Sequence, residues 1–102
     1  MSLSREEVEK RVLEESIRTV LTDDTGREII KFCKEPHTSS EIIDHLLKKL
    51  SSESTNRMRW ERVVSENLRK LENTKAITYL VEGKWKVTDE AKTVLEKFFG
   101  GL

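Results

Sequence analysis

The hydrophobic pattern of the chain changes its period near residue 76, and this change constrains the fold more than any other feature. Before it, apolar residues recur every three or four positions, the spacing of amphipathic helices. After it, the segment 76–88 alternates around Glu82-Gly83, and Gly83 supplies a turn, so a β-hairpin is predicted. The apolar members of the alternation are Ile77, Tyr79, Val81, Trp85 and Val87. We therefore predict a mainly α chain with one small β-hairpin.

The N-terminal helix is predicted over residues 4–21. Ser4 is a favourable N-cap, and the glutamates that follow it lie in the first turn, where the helix dipole favours negative charge. One buried face is expected for this helix. Its apolar stripe is assigned to Val8, Val12, Ile17, Val20 and Leu21, with Leu13 on its shoulder.

Two shorter helices are predicted next. The first covers residues 24–35 and ends before Pro36, because the residue that precedes a proline avoids the helical conformation. The second begins at Thr38 or Ser39, either of which is a good N-cap with a glutamate close behind, and it runs to about Leu50. A polar segment then separates these two helices from a longer one.

This long helix is predicted over residues 54–73, and its two faces differ in character. On a helical wheel the inward face is apolar and comprises Trp60, Val64, Leu68 and Leu71, with Val63 nearby. The opposite face comprises Arg59, Arg62, Glu66, Arg69 and Asn73, flanked by Ser65 and Lys70. Arginine can hold a phosphate or a guanine edge and asparagine can pair with adenine, so this face is suited to DNA. The alternative is that it is the solvated side of a charge-rich helix.

The hairpin and one further helix complete a single domain over residues 1–102, the usual length of one domain. The hairpin occupies residues 76–88. The C-terminal helix is predicted over 89–99, because Thr88 is a good N-cap and Gly100-Gly101 stops the helical pattern.

Three phrases carry a resemblance: "REIIKFCKEPHTSSEIIDHL", "VVSENLRKLENTKAI" and "YLVEGKWKVTDEAKTVLEKF". Over roughly residues 27–98 the chain resembles the winged helix-turn-helix transcription regulators of bacteria and archaea, and within them the ArsR-like and MarR/PadR-like groups. The resemblance implies a three-helix DNA-binding bundle plus a wing, with extra N- and C-terminal helices. Residues 24–73 would hold the helix-turn-helix with a long recognition helix, and residues 76–88 the wing.

The segment before the recognition helix, "LKKLSSESTNRMRWER", is longer than the family usually has. Either the third helix runs on, or the recognition helix is extended at its N-terminus. The function implied is sequence-specific binding of double-stranded DNA by a repressor-like regulator of transcription. Phosphate contacts are expected at the third helix start and on the wing, and groove contacts on the long helix. The predicted DNA-binding residues are Thr38, Ser39, Ser40, Arg57, Arg59, Arg62, Ser65, Arg69, Lys84 and Lys86.

A homodimer is expected, because specific regulators commonly join two half-sites about one helical turn apart. The first and last helices carry wide apolar stripes with little remaining core to cover. The predicted two-fold interface consists of Val8, Val12, Ile17, Phe98 and Phe99. The alternative is that the same residues close the core of a monomer.

Other chemistry has weak signals. His37 and His45 stand eight positions apart without a cysteine pair, so no metal site is predicted, and Cys33 reads as a small buried hydrophobe. No catalytic motif is found; neither enzyme activity nor a cofactor is predicted, and a small-molecule effector stays undetermined. One cysteine and no membrane-spanning run point to the cytoplasm.

The net charge of zero, from 19 basic and 19 acidic residues, favours a rival function: a winged helix that docks another protein without binding DNA.

Overall fold

The computed structural model describes residues 4–50 and 57–101. Within these ranges the chain is mainly helical with one antiparallel two-stranded hairpin, which confirms the predicted coarse class. The elements in chain order are α1 (Arg5–Leu21), α2 (Asp24–Phe32), α3 (Ser39–Leu50), α4 (Arg57–Asn73), β1 (Ile77–Tyr79), β2 (Trp85–Val87) and α5 (Asp89–Phe99). No helix among the described residues is long and apolar enough to cross a membrane.

Helix α1 buries only part of the predicted apolar stripe. The Ser4 hydroxyl accepts from the N–H of Glu7, so the predicted N-cap is confirmed. The residues that enter the core are Leu13, Ile17 and Leu21, spaced four apart, whereas Val8 and Val12 are 45% and 48% exposed. At 100° per residue these two valines lie on the side of the helix opposite Ile17. The single predicted stripe was wrong, because the apolar residues of α1 form two stripes on opposite sides.

This burial also corrects the predicted dimer interface. Ile17 is completely buried within one chain, so it has no surface to offer a second one. Phe99 packs partly against the core, whereas Phe98 is 46% exposed near the end of α5. Val8, Val12 and Phe98 are therefore the accessible members of the predicted set.

Helix α2 ends three residues earlier than predicted. Its C-cap is Cys33, whose N–H donates to the carbonyl of Ile29. At the other end, α2 lies so close to α1 that a Cβ on Gly26 would sit 2.5 Å from Cγ1 of Val20. A glycine at position 26 thus permits the close approach of the two helices.

Helix α3 begins with a reciprocal cap. The N–H of Thr38 donates to Oε1 of Glu41 at 2.8 Å, and the N–H of Glu41 donates to Oγ1 of Thr38 at 3.2 Å. Of the two predicted caps, Thr38 is therefore the one used. The question of how the third helix joins the fourth falls on residues 51–56, which lie outside the described residues.

Helix α4 ends in a motif that requires one left-handed residue. The N–H of Ala76 donates to the carbonyl of Leu71 at 2.8 Å, and the N–H of Lys75 donates to Glu72 at 3.0 Å. These are the paired bonds of a Schellman motif, and they place Lys75 at a φ of 66°. The helix ends at Asn73 as predicted, but Lys75, not the asparagine, adopts the left-handed conformation.

The hairpin is anchored to the start of α3. Its strands pair Ile77 with Val87 and Tyr79 with Trp85, and the connection over residues 80–84 contains Gly83, which has a φ of 79°. His37 and Trp85 donate backbone hydrogen bonds to each other at 3.1 and 2.7 Å. The segment between α2 and α3 therefore adds an antiparallel bridge to the hairpin.

A single hydrophobic core joins all five described helices to the hairpin. It draws on Ile17 of α1, Ile29 of α2, Leu46 of α3, Leu71 of α4 and Leu95 of α5. The strands contribute the buried residues Ile77 and Val87. This shared core fixes the directions of the exposed helix faces.

Candidate nucleic-acid interface

Helix α4 presents one rigid exposed face because its other face is held in the core. Val64, Leu68 and Leu71 are buried, and Trp60 packs partly against the core. The predicted inward face of this helix is thereby confirmed. The helix packs on α3 and on β1, which leaves its opposite side open.

The predicted reading residues lie on this open side. Arg59, Arg62, Ser65 and Arg69 are all exposed. None of their side chains makes a hydrogen bond or an ion pair with any residue in 4–50 or 57–101. Glu66 is the acidic residue of this strip, and α4 as a whole carries five basic and three acidic residues. Three guanidinium groups are thus left available to an anionic ligand.

Arg57 differs from the other arginines of α4 because its guanidinium is already engaged. Its Nη1 lies 2.6 Å from Oδ1 of Asp44, its Nη2 donates to the Ser40 hydroxyl at 3.1 Å, and its Nε lies 3.8 Å from Glu61. The hydrogen bond to Asp44 raises the pKa of Arg57 above its ordinary value. Arg57 therefore links α4 to α3, and a role in DNA contact would require it to leave these partners.

The three predicted phosphate donors at the start of α3 also have internal partners. The N–H of Thr38 binds the carboxylate of Glu41, and this hydrogen bond is the main cause of the lowered pKa of Glu41. The anion that the helix N-terminus favours is thus supplied by the chain itself. Ser39 accepts from Nε1 of Trp85 at 3.1 Å, and Ser40 accepts from Arg57. Each serine hydroxyl keeps its own proton to donate.

The lysines predicted for a wing occupy one face of the hairpin. Lys84 and Lys86 are separated by one residue and are partly exposed, and neither side chain pairs with a described residue. The other face carries Tyr79 and Trp85, whose ring centroids are 4.7 Å apart. Alternation in the sequence placed these aromatic residues on one side, but it gave no sign that Trp85 reaches α3.

The start of α3 joins the other two parts of the predicted interface. Ser39 is bonded to the hairpin through Trp85, and Ser40 is bonded to α4 through Arg57. Adjacent residues on one helix therefore fix both the hairpin and the described beginning of α4. Asp44, which completes the link to α4, had no signal in the sequence because it lies 13 positions from Arg57.

The two histidines considered as metal ligands stack instead on an aromatic ring. His37 and His45 lie parallel to Phe32, with centroid distances of 3.8 and 4.2 Å, which places them on its opposite faces. Nε2 of His45 lies 3.1 Å from Oε2 of Glu28. Within the described ranges no three potential metal ligands come together. Cys33 is buried, and burial raises the pKa of its thiol to about 12.

A surface cleft of about 590 Å³ is lined by none of the predicted DNA-binding residues. It opens between α1, α5 and the turn that follows α4. Its lining includes the apolar side chains of Leu13, Ile77 and Val94. An ion pair between Lys75 and Glu9, with 3.6 Å between Nζ and Oε2, stands at its rim.

Comparison of the chain with protein-family models, with curated proteins and with solved structures finds no match in any of the three. The function of the α4 surface must therefore be inferred from the residues of this chain.

Proposed function

We propose that the chain is a winged helix-turn-helix protein that binds double-stranded DNA and regulates transcription in the cytoplasm. In this proposal α2 and α3 precede the recognition helix α4, and the β1–β2 hairpin is the wing. The order of elements, and the bridge that ties the hairpin to the start of α3, support this assignment.

The observation that carries the proposal is the open arginine strip of α4. Arg59, Arg62 and Arg69 project from a helix whose opposite face is buried, and they have no partners among the described residues. An α-helix of about 10–12 Å diameter fits the major groove of B-DNA, which is about 12 Å wide. Free guanidinium groups can then reach phosphates or guanine edges without first breaking an intramolecular ion pair.

The wing adds Lys84 and Lys86 as backbone contacts, and Ser65 extends the surface of α4. Roughly five such cationic contacts per chain give a strongly salt-dependent but weak interaction, on the order of 10⁻⁴ to 10⁻⁶ M when the sequence is not read. Tighter, sequence-specific binding requires base contacts and, commonly, a second half-site.

The test is a fluorescence titration of labelled random duplex at low and raised salt. We expect binding at low salt that weakens steeply as salt increases, since each phosphate contact contributes about −0.9 to the log–log slope. Arg62→Ala should weaken binding and flatten the slope by about one contact. Arg18→Ala is the matched control, because Arg18 is an exposed arginine on α1, outside both α4 and the hairpin. Equal effects of the two substitutions, or no salt dependence, would contradict the proposal.

A docking module for another protein is the second candidate function, and the same surface has features that favour it. Glu66 lies within the arginine strip, and Met58 on α4 is 76% exposed. The hairpin adds exposed Tyr79 and fully exposed Val81. Exposed apolar residues of this kind are common in protein interfaces. Absence of duplex binding at low salt would favour this candidate over DNA.

A further inference from the structure

The outward face of α1 carries two valines at positions where a helix of one isolated chain would be polar. Every residue from Ser4 to Val12 is exposed, and Val8 and Val12 project from the side opposite the buried Ile17. The N-terminal half of α1 therefore makes little use of its own chain's core.

A basic residue lies on one side of the two valines along the helix, and an acidic residue lies on the other side. On the wheel, Arg5 and Glu15 lie within about 60° of the line through Val8 and Val12. Arg5 precedes the pair by three residues, and Glu15 follows it by three. A second copy of α1 that runs antiparallel, centred on residue 10, would place Val8 against Val12 and Arg5 against Glu15, each contact occurring twice. A parallel copy would place each of these charges against itself.

We propose that this face binds a second copy of the chain, and that the two α1 helices pair antiparallel about residue 10. The valines form the apolar centre, and the Arg5–Glu15 contacts close its two ends. Antiparallel packing also sets the helix dipoles in opposition, which favours this direction. The Arg5 side chain is 92% exposed, and among the described residues its ion pair is with Glu9, at 3.4 Å, so it can turn to a partner at little cost. The dimer does not depend on the proposed DNA binding.

An interface of two short helices lies at the small end of protein interfaces, so association should be weak and concentration-dependent. Sedimentation velocity of the full chain without DNA, in a concentration series up to about 1 mM, can detect association this weak. We expect a monomer–dimer equilibrium, and Val12→Asp should raise the dissociation constant at least about tenfold by burying a charge. Val12 is half exposed in the monomer, so circular dichroism should show an unchanged fold.

Charge reversal distinguishes the antiparallel register from other pairings. Arg5→Glu and Glu15→Arg should each weaken the dimer about threefold to tenfold, because each places like charges together at both ends. The double variant Arg5→Glu/Glu15→Arg should restore association. A chain that stays monomeric, or a dimer insensitive to Val12→Asp, would overturn the proposed interface and leave the face to another partner. Loss in both single variants without recovery in the double variant would overturn the antiparallel register. Because no DNA is present, none of these outcomes reports on duplex binding.

Discussion

Nη1 of Arg57 lies 2.6 Å from Oδ1 of Asp44, whereas Arg62, on the same helix, contacts no acidic group in the described parts of the chain. Truncation of the two arginines should therefore change the free energy of unfolding to different extents. Arg57→Ala should lower the free energy of unfolding, because it removes the ion pair that links α4 to α3. Arg62→Ala should change it by less than about 0.5 kcal/mol, as for an unpaired surface residue.

The order of the two effects should reverse in DNA binding, because Arg62→Ala should weaken duplex binding more than Arg57→Ala does. Urea denaturation gives the first quantity and duplex titration the second. The assignment of Arg57 to a structural link would be wrong if its truncation left stability unchanged but weakened DNA binding more than Arg62→Ala.

The reciprocal cap between Thr38 and Glu41 predicts a response to acid. Hydrogen bonding from Thr38 lowers the pKa of Glu41, so the folded state binds a proton at this site less readily than the unfolded state. The stabilisation is complete above the ordinary glutamate pKa of about 4.3 and is lost as pH falls through the lower folded pKa. Carbon-detected NMR titration of Glu41 should show this low value directly.

Two variants separate the halves of this cap. Glu41→Gln should remove the site's contribution to acid-induced loss of stability, and Glu82→Gln, in the exposed hairpin loop, controls for the loss of one carboxylate. Thr38→Ala should cost about 1 kcal/mol at neutral pH, the usual value of an N-cap. A Glu41 pKa at or above its ordinary value would show that the cap does not form in solution.

Local signals predicted the parts of the fold that are decided within a few residues. Ser4, Thr38 and Thr88 each cap the helix that follows, and the glycine at position 83 turns the hairpin, because these interactions span three or four positions. The long amphipathic helix was predictable for the same reason. Its exposed arginines follow from the position of its buried stripe.

Features that depend on a neighbouring element were not predictable from one helix at a time. Helix α1 has two apolar stripes, and only its packing against α2 and α5 decides that Ile17 is buried and Val8 is not. Likewise, the partners of the arginines on α4 depend on the neighbouring helix. Among the described residues only Arg57 meets a carboxylate of α3. The wheel places Arg57 on the side of Val64 and Arg59 on the opposite side, but nothing in the local pattern shows that Asp44 lies within reach.

The contact between α1 and α2 predicts that Gly26→Ala is destabilising. In an unconstrained helix this change stabilises by about 0.5–1 kcal/mol. Here the new Cβ would lie 2.5 Å from Cγ1 and 2.6 Å from the backbone oxygen of Val20, and the oxygen cannot rotate away. We expect a loss of about 1–3 kcal/mol in urea denaturation. Adding Val20→Ala should recover only part of it, and full recovery or a gain in stability would contradict the close approach.

The left-handed residue at the end of α4 predicts the opposite response. Lys75 has a φ of 66°, which a side chain disfavours and glycine tolerates, so Lys75→Gly should raise the free energy of unfolding by about 1 kcal/mol. The ion pair that it removes, with Glu9, is exposed on both sides and contributes little. Lys75→Ala is the matched control, because it removes the same ion pair but keeps a Cβ at the strained position. Thermal or urea unfolding should show a gain for glycine alone, and an equal gain for alanine would attribute the effect to the lost charge instead of the backbone.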